Sequence, residues 1–210
     1  MTPAEATQKL IAATVAMHGA GLPLMHRVLP HDAEPVLWDH YPEQDKVDAG
    51  SGARWFYHCH PPEERVNGEH GHFHLFLPLS AMPDRKACLI APKRKKAKDR
   101  PNVVHIAALS VSRDGVPVAW FTVNRWVTDE WLFPAKAIIA ALDTWTFSGD
   151  DLVDQWLCAM VGLCRQILAD LLEQRDAKLA ASGFDGNDES LEIMSHAAFD
   201  LQAVVEPYLE

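Results

Sequence analysis

Five of the chain's eleven histidines, His58, His60, His70, His72 and His74, crowd into one short stretch. Neutral imidazole is a common ligand for zinc, iron, copper and nickel, and it also serves as a nucleophile or proton carrier. The spacing carries more information than the number. Tyr57-His58-Cys59-His60 and His70-Gly71-His72-Phe73-His74 both place histidine at every second position. On a β-strand, alternate side chains share a face and lie about 7 Å apart. His58 and His60 therefore share one face of a strand, and His70, His72 and His74 share one face of the next. If the two strands pair, both sets converge on one surface within reach of a single ion.

These positions predict a divalent transition-metal centre for Zn, Fe, Cu or Ni, with ligands drawn from His58, His60, His70, His72, His74 and His40. Three protein ligands are enough for an open site, so the remaining candidates are expected to orient the ligands through hydrogen bonds. Such an ion polarises a substrate oxygen or activates water, with Glu69 as a general base and a small molecule as substrate. Arg125 is the second catalytic candidate, because guanidinium matches carboxylate and phosphate in a bidentate fashion. Pairing with Asp129 or Glu130 is its structural alternative. Asp39, and His105 on the third strand, are further recruits to the site, although Val103, Ala107 and Leu109 on its face also suit His105 to a core position beside it. The same ligands in a closed site would suit a non-catalytic metal-handling protein, so the residues leave open whether a reaction is catalysed.

The strands that must carry these residues are legible. Arg54 to His60 is aromatic-rich and is stopped by Pro61-Pro62, and His70 to Leu77 follows as a second strand. Val103–Val111 and Val116–Val123, joined at Asp114-Gly115, form the clearest hairpin. Thr2, Pro3 and Glu5 make a capping box for a helix over 3–19, with Leu10, Ile11, Val15 and Met17 as its apolar stripe. Residues 22–52 show no clear period and read as loop with short elements. The C-terminal helices, over 134–208, begin with one from Pro134 to Leu142. A long one follows from Asp150 through Leu152, Trp156, Met160, Leu163, Ile167 and Leu171. A last one runs through Leu191, Met194, Ala198, Leu201 and Val205. Central strands flanked by helices predict an α+β fold, one domain over 1–210. Its expected centre is an antiparallel sheet of about four strands within a histidine core at 53–124, covered by the terminal helices.

Composition narrows the field. The chain has 210 residues, 48% of them apolar and 23% charged, as a globular protein does. A net charge of −10 argues against a general nucleic-acid binder, and the basic run from Lys93 to Arg100 reads as a solvated loop. Cys59, Cys88, Cys158 and Cys164 lack a CxxC pair and read as reduced thiols, with Cys59 facing the core. No apolar run approaches the roughly 20 residues that span a bilayer, and the start lacks a basic leader. The expectation is a cytoplasmic protein without membrane or nucleic-acid partners. The apolar stripes of the C-terminal helices leave the oligomeric state open.

Two resemblances bear on these segments. His70-Gly71-His72-Phe73-His74-Leu75-Phe76 resembles the histidine-triad motif of nucleotide hydrolases and transferases. That resemblance implies attack by His72 on a phosphorus centre; Gly71 departs from the motif, and His58 and His60 have no part in it. Four segments, this histidine stretch among them, together resemble an uncharacterised bacterial family known only as a domain of unknown function. They are Trp38-Asp39-His40-Tyr41-Pro42, Tyr57-His58-Cys59-His60-Pro61, Glu69-His70-Gly71-His72-Phe73-His74-Leu75-Phe76 and Asn124-Arg125-Trp126-Val127-Thr128. The likeness runs from about residue 36 to residue 175, with the lysine-rich loop at 93–98 as an insertion. It implies no activity, but it joins these segments into one constellation.

Overall fold

Every strand pairs with its neighbour in sequence, so the chain lays down an antiparallel meander. The computed structural model describes residues 1–30, 35–65, 68–93 and 102–209. Its one sheet has the order β1 (Tyr41–Val47), β2 (Arg54–His58), β3 (Gly71–Pro78), β4 (Val103–Val111), β5 (Pro117–Val123) and β6 (Ile193–Ala198). The helices are α1 (Pro3–Gly19), α2 (Leu24–Val28), α3 (Arg125–Thr128), α4 (Ala135–Ala141), α5 (Leu152–Leu163), α6 (Arg165–Ala181) and α7 (Leu201–Val205). The fold is α+β, with six strands where about four were expected.

Both additional strands lie at the sheet edges. β1 falls in the stretch read as loop: its polar sequence and a register shift between Tyr41 and Lys46 hide the strand period. β6 replaces the first half of the predicted last helix. Its apolar residues fit a helical spacing, but the open edge of β5 supplies backbone partners along Ala119–Val123. Ser195 Oγ adds hydrogen bonds to Thr122 Oγ1 at 2.6 Å and to the Leu171 carbonyl at 2.8 Å. Only Leu201–Val205 stays helical, and the Asp200 carboxylate caps it by accepting from the backbone of Gln202 and Ala203.

α1 opens with the expected capping box: Glu5 N–H donates to Thr2 Oγ1 and Thr2 N–H donates to Glu5 Oε2. Its buried face is Ala6, Leu10, Ala13 and Met17, whereas Ile11 and Val15 are exposed. The small residues bring α1 against α5, where Gly162 meets Ala6 and Met1. The predicted long C-terminal helix is two helices, bent by 71° around Cys164. The bend carries Leu168, Leu171 and Leu172 of α6 into the core with the sheet. No single described helix is long and apolar enough to cross a membrane.

One face of the sheet meets the helices. Trp55, Tyr57, Cys59, Phe73, Leu75, Leu77, Val104, Ile106, Ala107 and Leu109 join α1, α5 and α6 in the main core. The alternate residues, Phe56, His58, His72, His74, Ala108, Ser110 and Phe121, face the other way, in register across four strands. Residues 94–101, most of the basic loop, lie outside the described residues; Lys93 N–H donates to Asp129 Oδ1 at 2.9 Å.

Candidate metal centre

Strand register assembles the histidines. β2 and β3 pair with His58 opposite His72 and Phe56 opposite His74, so three imidazoles leave the sheet side by side. One nitrogen from each of His58, His72 and His74 lies within 4.8 Å of the other two. His58 Nε2 and His72 Nε2 are 2.7 Å apart. His60, just past the end of β2, brings its ring 4.9 Å from His58 and 5.0 Å from His72, and Trp38 packs on it at 4.2 Å. The structure thus brings together His58, His60, His72 and His74, four of the five histidines that strand parity assigned to one surface, and three of them stand close enough to hold an ion.

His70 does not join them. It precedes the first residue of β3, so strand parity does not govern it. Its Nδ1 shares a hydrogen bond with the Tyr57 hydroxyl at 2.8 Å and lies 3.9 Å from Cys59 Sγ, among residues of the core face. Gly71 makes this crossing possible: a methyl at that position would collide with the Tyr57 phenol and the His58 carbonyl. His40 sits at the rim. Its ring stacks on Phe56 at 3.7 Å, its Nδ1 is 3.0 Å from Asp45 Oδ1, and its ring centre is 6.1 Å from His58.

His105 arrives by a route the sequence hid. Simple alternation from Leu109 and Ala107 puts it in the core. A register shift between Leu75 and Phe76 inserts one extra residue in β4, so Ile106 and Ala107 both face the helices. His105 is thereby turned to the histidine face, with its Nε2 3.0 Å from His74 Nδ1. The bonds behind the cluster fix which nitrogens face the pocket. His72 Nδ1 lies 2.7 Å from Glu69 Oε1, and the other Glu69 oxygen accepts from Ser110 Oγ at 2.7 Å. With Nδ1 donating to Glu69, neutral His72 carries its lone pair on Nε2. With Nδ1 donating to His105, His74 does the same. Nothing in the local sequence marks Ser110; its role depends on being the β4 partner of His72.

Burial favours the uncharged form of His58, His60, His74 and His105. It lowers His58 to about 2, helped by the neighbouring charges of His72 and His60, and lowers His60 to about 4, with His72 next in weight. His74 is pushed well below the ordinary histidine value, by burial first and then by His72. His105 falls to about 3 through burial and the Arg175 charge. Burial alone would raise the Glu69 carboxyl, but the hydrogen bond and charge of His72, with the Ser110 hydroxyl, hold it below its usual value. Uncharged imidazoles are the form that ligates metal.

A pocket of about 360 Å³ opens over the cluster, lined by His58, His60, His72 and His74 below and by Trp38, Phe121, Val123, Trp126, Val127 and Ile193 around them. Arg125 is buried at the start of α3, where its guanidinium is engaged by Asp129 and Asn187, and it is not among the lining residues. Its geometry is that of the structural alternative. His18, His26 and His196 are exposed and lie away from the cluster's lining.

No curated protein and no solved structure matches the chain. A family model does, over more of the chain than the four quoted segments span. It covers residues 4–199 and is described as a domain of unknown function (DUF6969), and the chain belongs to that family.

Proposed function

We propose that the protein binds one divalent transition-metal ion on His58, His72 and His74 and uses it on a small-molecule substrate. The observation that carries this reading is the triad of nitrogens within 4.8 Å. Nitrogens bound at about 2.0–2.1 Å to one tetrahedral ion stand about 3.3 Å apart, so small ring rotations bring the set together. His60 is the reserve ligand beside them. Such an ion supplies Lewis acidity toward a substrate oxygen or water. The remaining roles fall to the chain. Glu69 fixes the tautomer and aim of His72, a role that replaces the one expected of it as general base, since both its oxygens are hydrogen-bonded within the protein. His105 does the same for His74, and the aromatic and aliphatic side chains of the wall offer apolar contact to a substrate. The pocket above the triad favours an open, reactive site over a closed one for metal handling.

The phosphotransfer reading draws support from the Glu69–His72 hydrogen bond, which would activate Nε2 as a nucleophile. Against it, His58 Nε2 stands 2.7 Å in front of that nitrogen, and among the described residues no lysine or arginine lines the pocket.

The test is elemental analysis of protein purified without a histidine tag, beside a His72→Ala/His74→Ala variant. About one equivalent of a single metal, lost in the variant, is the expected result for one mononuclear site. Absence of metal in both proteins, together with failed reconstitution of the apo protein, overturns the reading. Nucleotide hydrolysis that survives exhaustive chelation and is lost in His72→Ala would establish phosphotransfer instead.

A further inference from the structure

The walls of the pocket differ in chemistry from its floor. Trp38, Phe121 and Trp126 present aromatic rings, and Val123, Val127 and Ile193 fill the spaces between them. Phe121 stands edge-on to His72 with ring centres 5.0 Å apart. The Trp126 indole is fixed by its N–H, which donates to the Leu191 carbonyl at 3.2 Å.

Trp38 is 53% exposed, an unusual state for the largest apolar side chain. Its backbone has φ 70°, the left-handed region that bulky residues avoid. A hydrogen bond from its N–H to the Cys59 carbonyl at 3.0 Å holds it there, with the indole over His60 at the pocket mouth. Val36 and Leu37, just before it in sequence, are exposed as well. A left-handed backbone that keeps half of an indole in solvent beside His60 makes sense as a surface held ready for a ligand.

Charge restricts that ligand. Besides the histidines, the ionisable residues of the lining are Glu64, Glu69 and Glu192, all acidic. A nearby cation, Arg65, donates from Nε to the His60 carbonyl at 2.6 Å and is not part of the wall. A phosphate or carboxylate entering the pocket would have the ion as its one cationic partner and would face the acidic Glu64 and Glu192, on a chain of net charge −10. A cationic head group would be repelled by the ion itself. The volume lies at the lower end of the range for small-molecule sites.

Building on the metal-centre reading, we infer that the site takes an uncharged aromatic compound bearing one oxygen or nitrogen donor. The ring packs against Trp38 and its aromatic neighbours, and the donor reaches the ion on His58, His72 and His74.

Calorimetric titration of zinc-loaded, full-length protein with 4-phenylimidazole, imidazole and phenyl phosphate tests this, with zinc content measured separately on the same sample. Binding of 4-phenylimidazole about tenfold tighter than imidazole is expected from a well-packed aromatic contact, with phenyl phosphate weaker than either. Trp38→Ala should remove most of that preference and Trp38→Phe should retain it, both with unchanged circular dichroism. Equal binding of the two imidazoles, or preference for phenyl phosphate, overturns the inference while the measured zinc leaves the metal centre standing. If the protein takes up no zinc, the metal reading fails by itself. In that case, quenching of tryptophan fluorescence by 4-phenylimidazole that depends on Trp38 sustains the aromatic ligand, and its absence overturns it.

Discussion

His58 and His72 are register partners on adjacent strands, and their Nε2 atoms face each other at 2.7 Å. Because Glu69 accepts from the far side of His72, the proton between the two rings belongs to His58 when both are neutral. On the proposed function, an ion bound here would displace that proton and meet a lone pair from each ring.

Removing the acceptor behind His72 should weaken the metal without abolishing it. Glu69→Gln is expected to lower affinity about 10–100-fold, the usual cost of losing a hydrogen-bond partner behind a ligating histidine. Competition with a chromogenic chelator measures this. Affinity equal to that of the parent protein would remove Glu69 from the site.

The metal-free protein should lose stability in mild acid. His58, His60, His74 and His105 are all held below the unfolded histidine value near 6.5. Under pH 6.5 the unfolded chain takes up protons that the fold refuses, so stability present above 6.5 is lost as pH falls toward the folded values. Each imidazole that stays neutral contributes a slope of about 1.4 kcal/mol per pH unit. Urea unfolding between pH 7 and 5 reads the slope, which His105→Gln should reduce. A flat profile would mean that the cluster protonates freely in the fold.

Glu130 acts at the other end of the pH range. It is buried, its Oε2 has no hydrogen-bond partner among the described residues, and burial raises its carboxyl to about 7. The folded state thus keeps a proton that the unfolded chain releases from about pH 4.5. Stability contributed by this group is full below that value and lost as pH rises through 7. Glu130→Gln, which stays neutral, should stabilise the protein at pH 8 by roughly 2–3 kcal/mol and have little effect at pH 4.5. Equal melting shifts at the two pH values would contradict a raised carboxyl.

Gly71→Ala should damage both packing and the site. The added methyl meets the His58 carbonyl and the Tyr57 phenol where β2 and β3 close on each other. Overpacking of this kind costs about 1–3 kcal/mol, and here it also separates the strands that carry His58 and His72. A melting temperature and zinc affinity both equal to the parent's would show that this approach is not tight.

Much of the site was legible because strand alternation is a local rule. Two histidines in every-other-residue spacing on each of two strands suffice to put His58, His72 and His74 on one face, whatever surrounds them. The rule failed where the backbone departed from it. His70 lies one residue outside its strand and leaves the cluster, and His105 lies past a bulge that reverses parity, so alternation alone left open whether it faced the core or the site. Neither departure leaves a mark in the local sequence.

The chain's own pattern thus determined the α+β class, the central hairpins, the capped first helix and the histidine face, since each depends on residues close together in sequence. Tertiary structure decided what depends on distant neighbours. The open edge of β5 drew Ile193–Ala198 into a strand in place of a helix. Packing bent the α5–α6 pair by 71°. Pairing between β3 and β4 brought Ser110 opposite His72, where its hydroxyl reaches Glu69. Trp38 was turned over His60 by a hydrogen bond to Cys59 across the chain. Long-range hydrogen bonds can override local propensity because that propensity is worth only a fraction of a kcal/mol per residue.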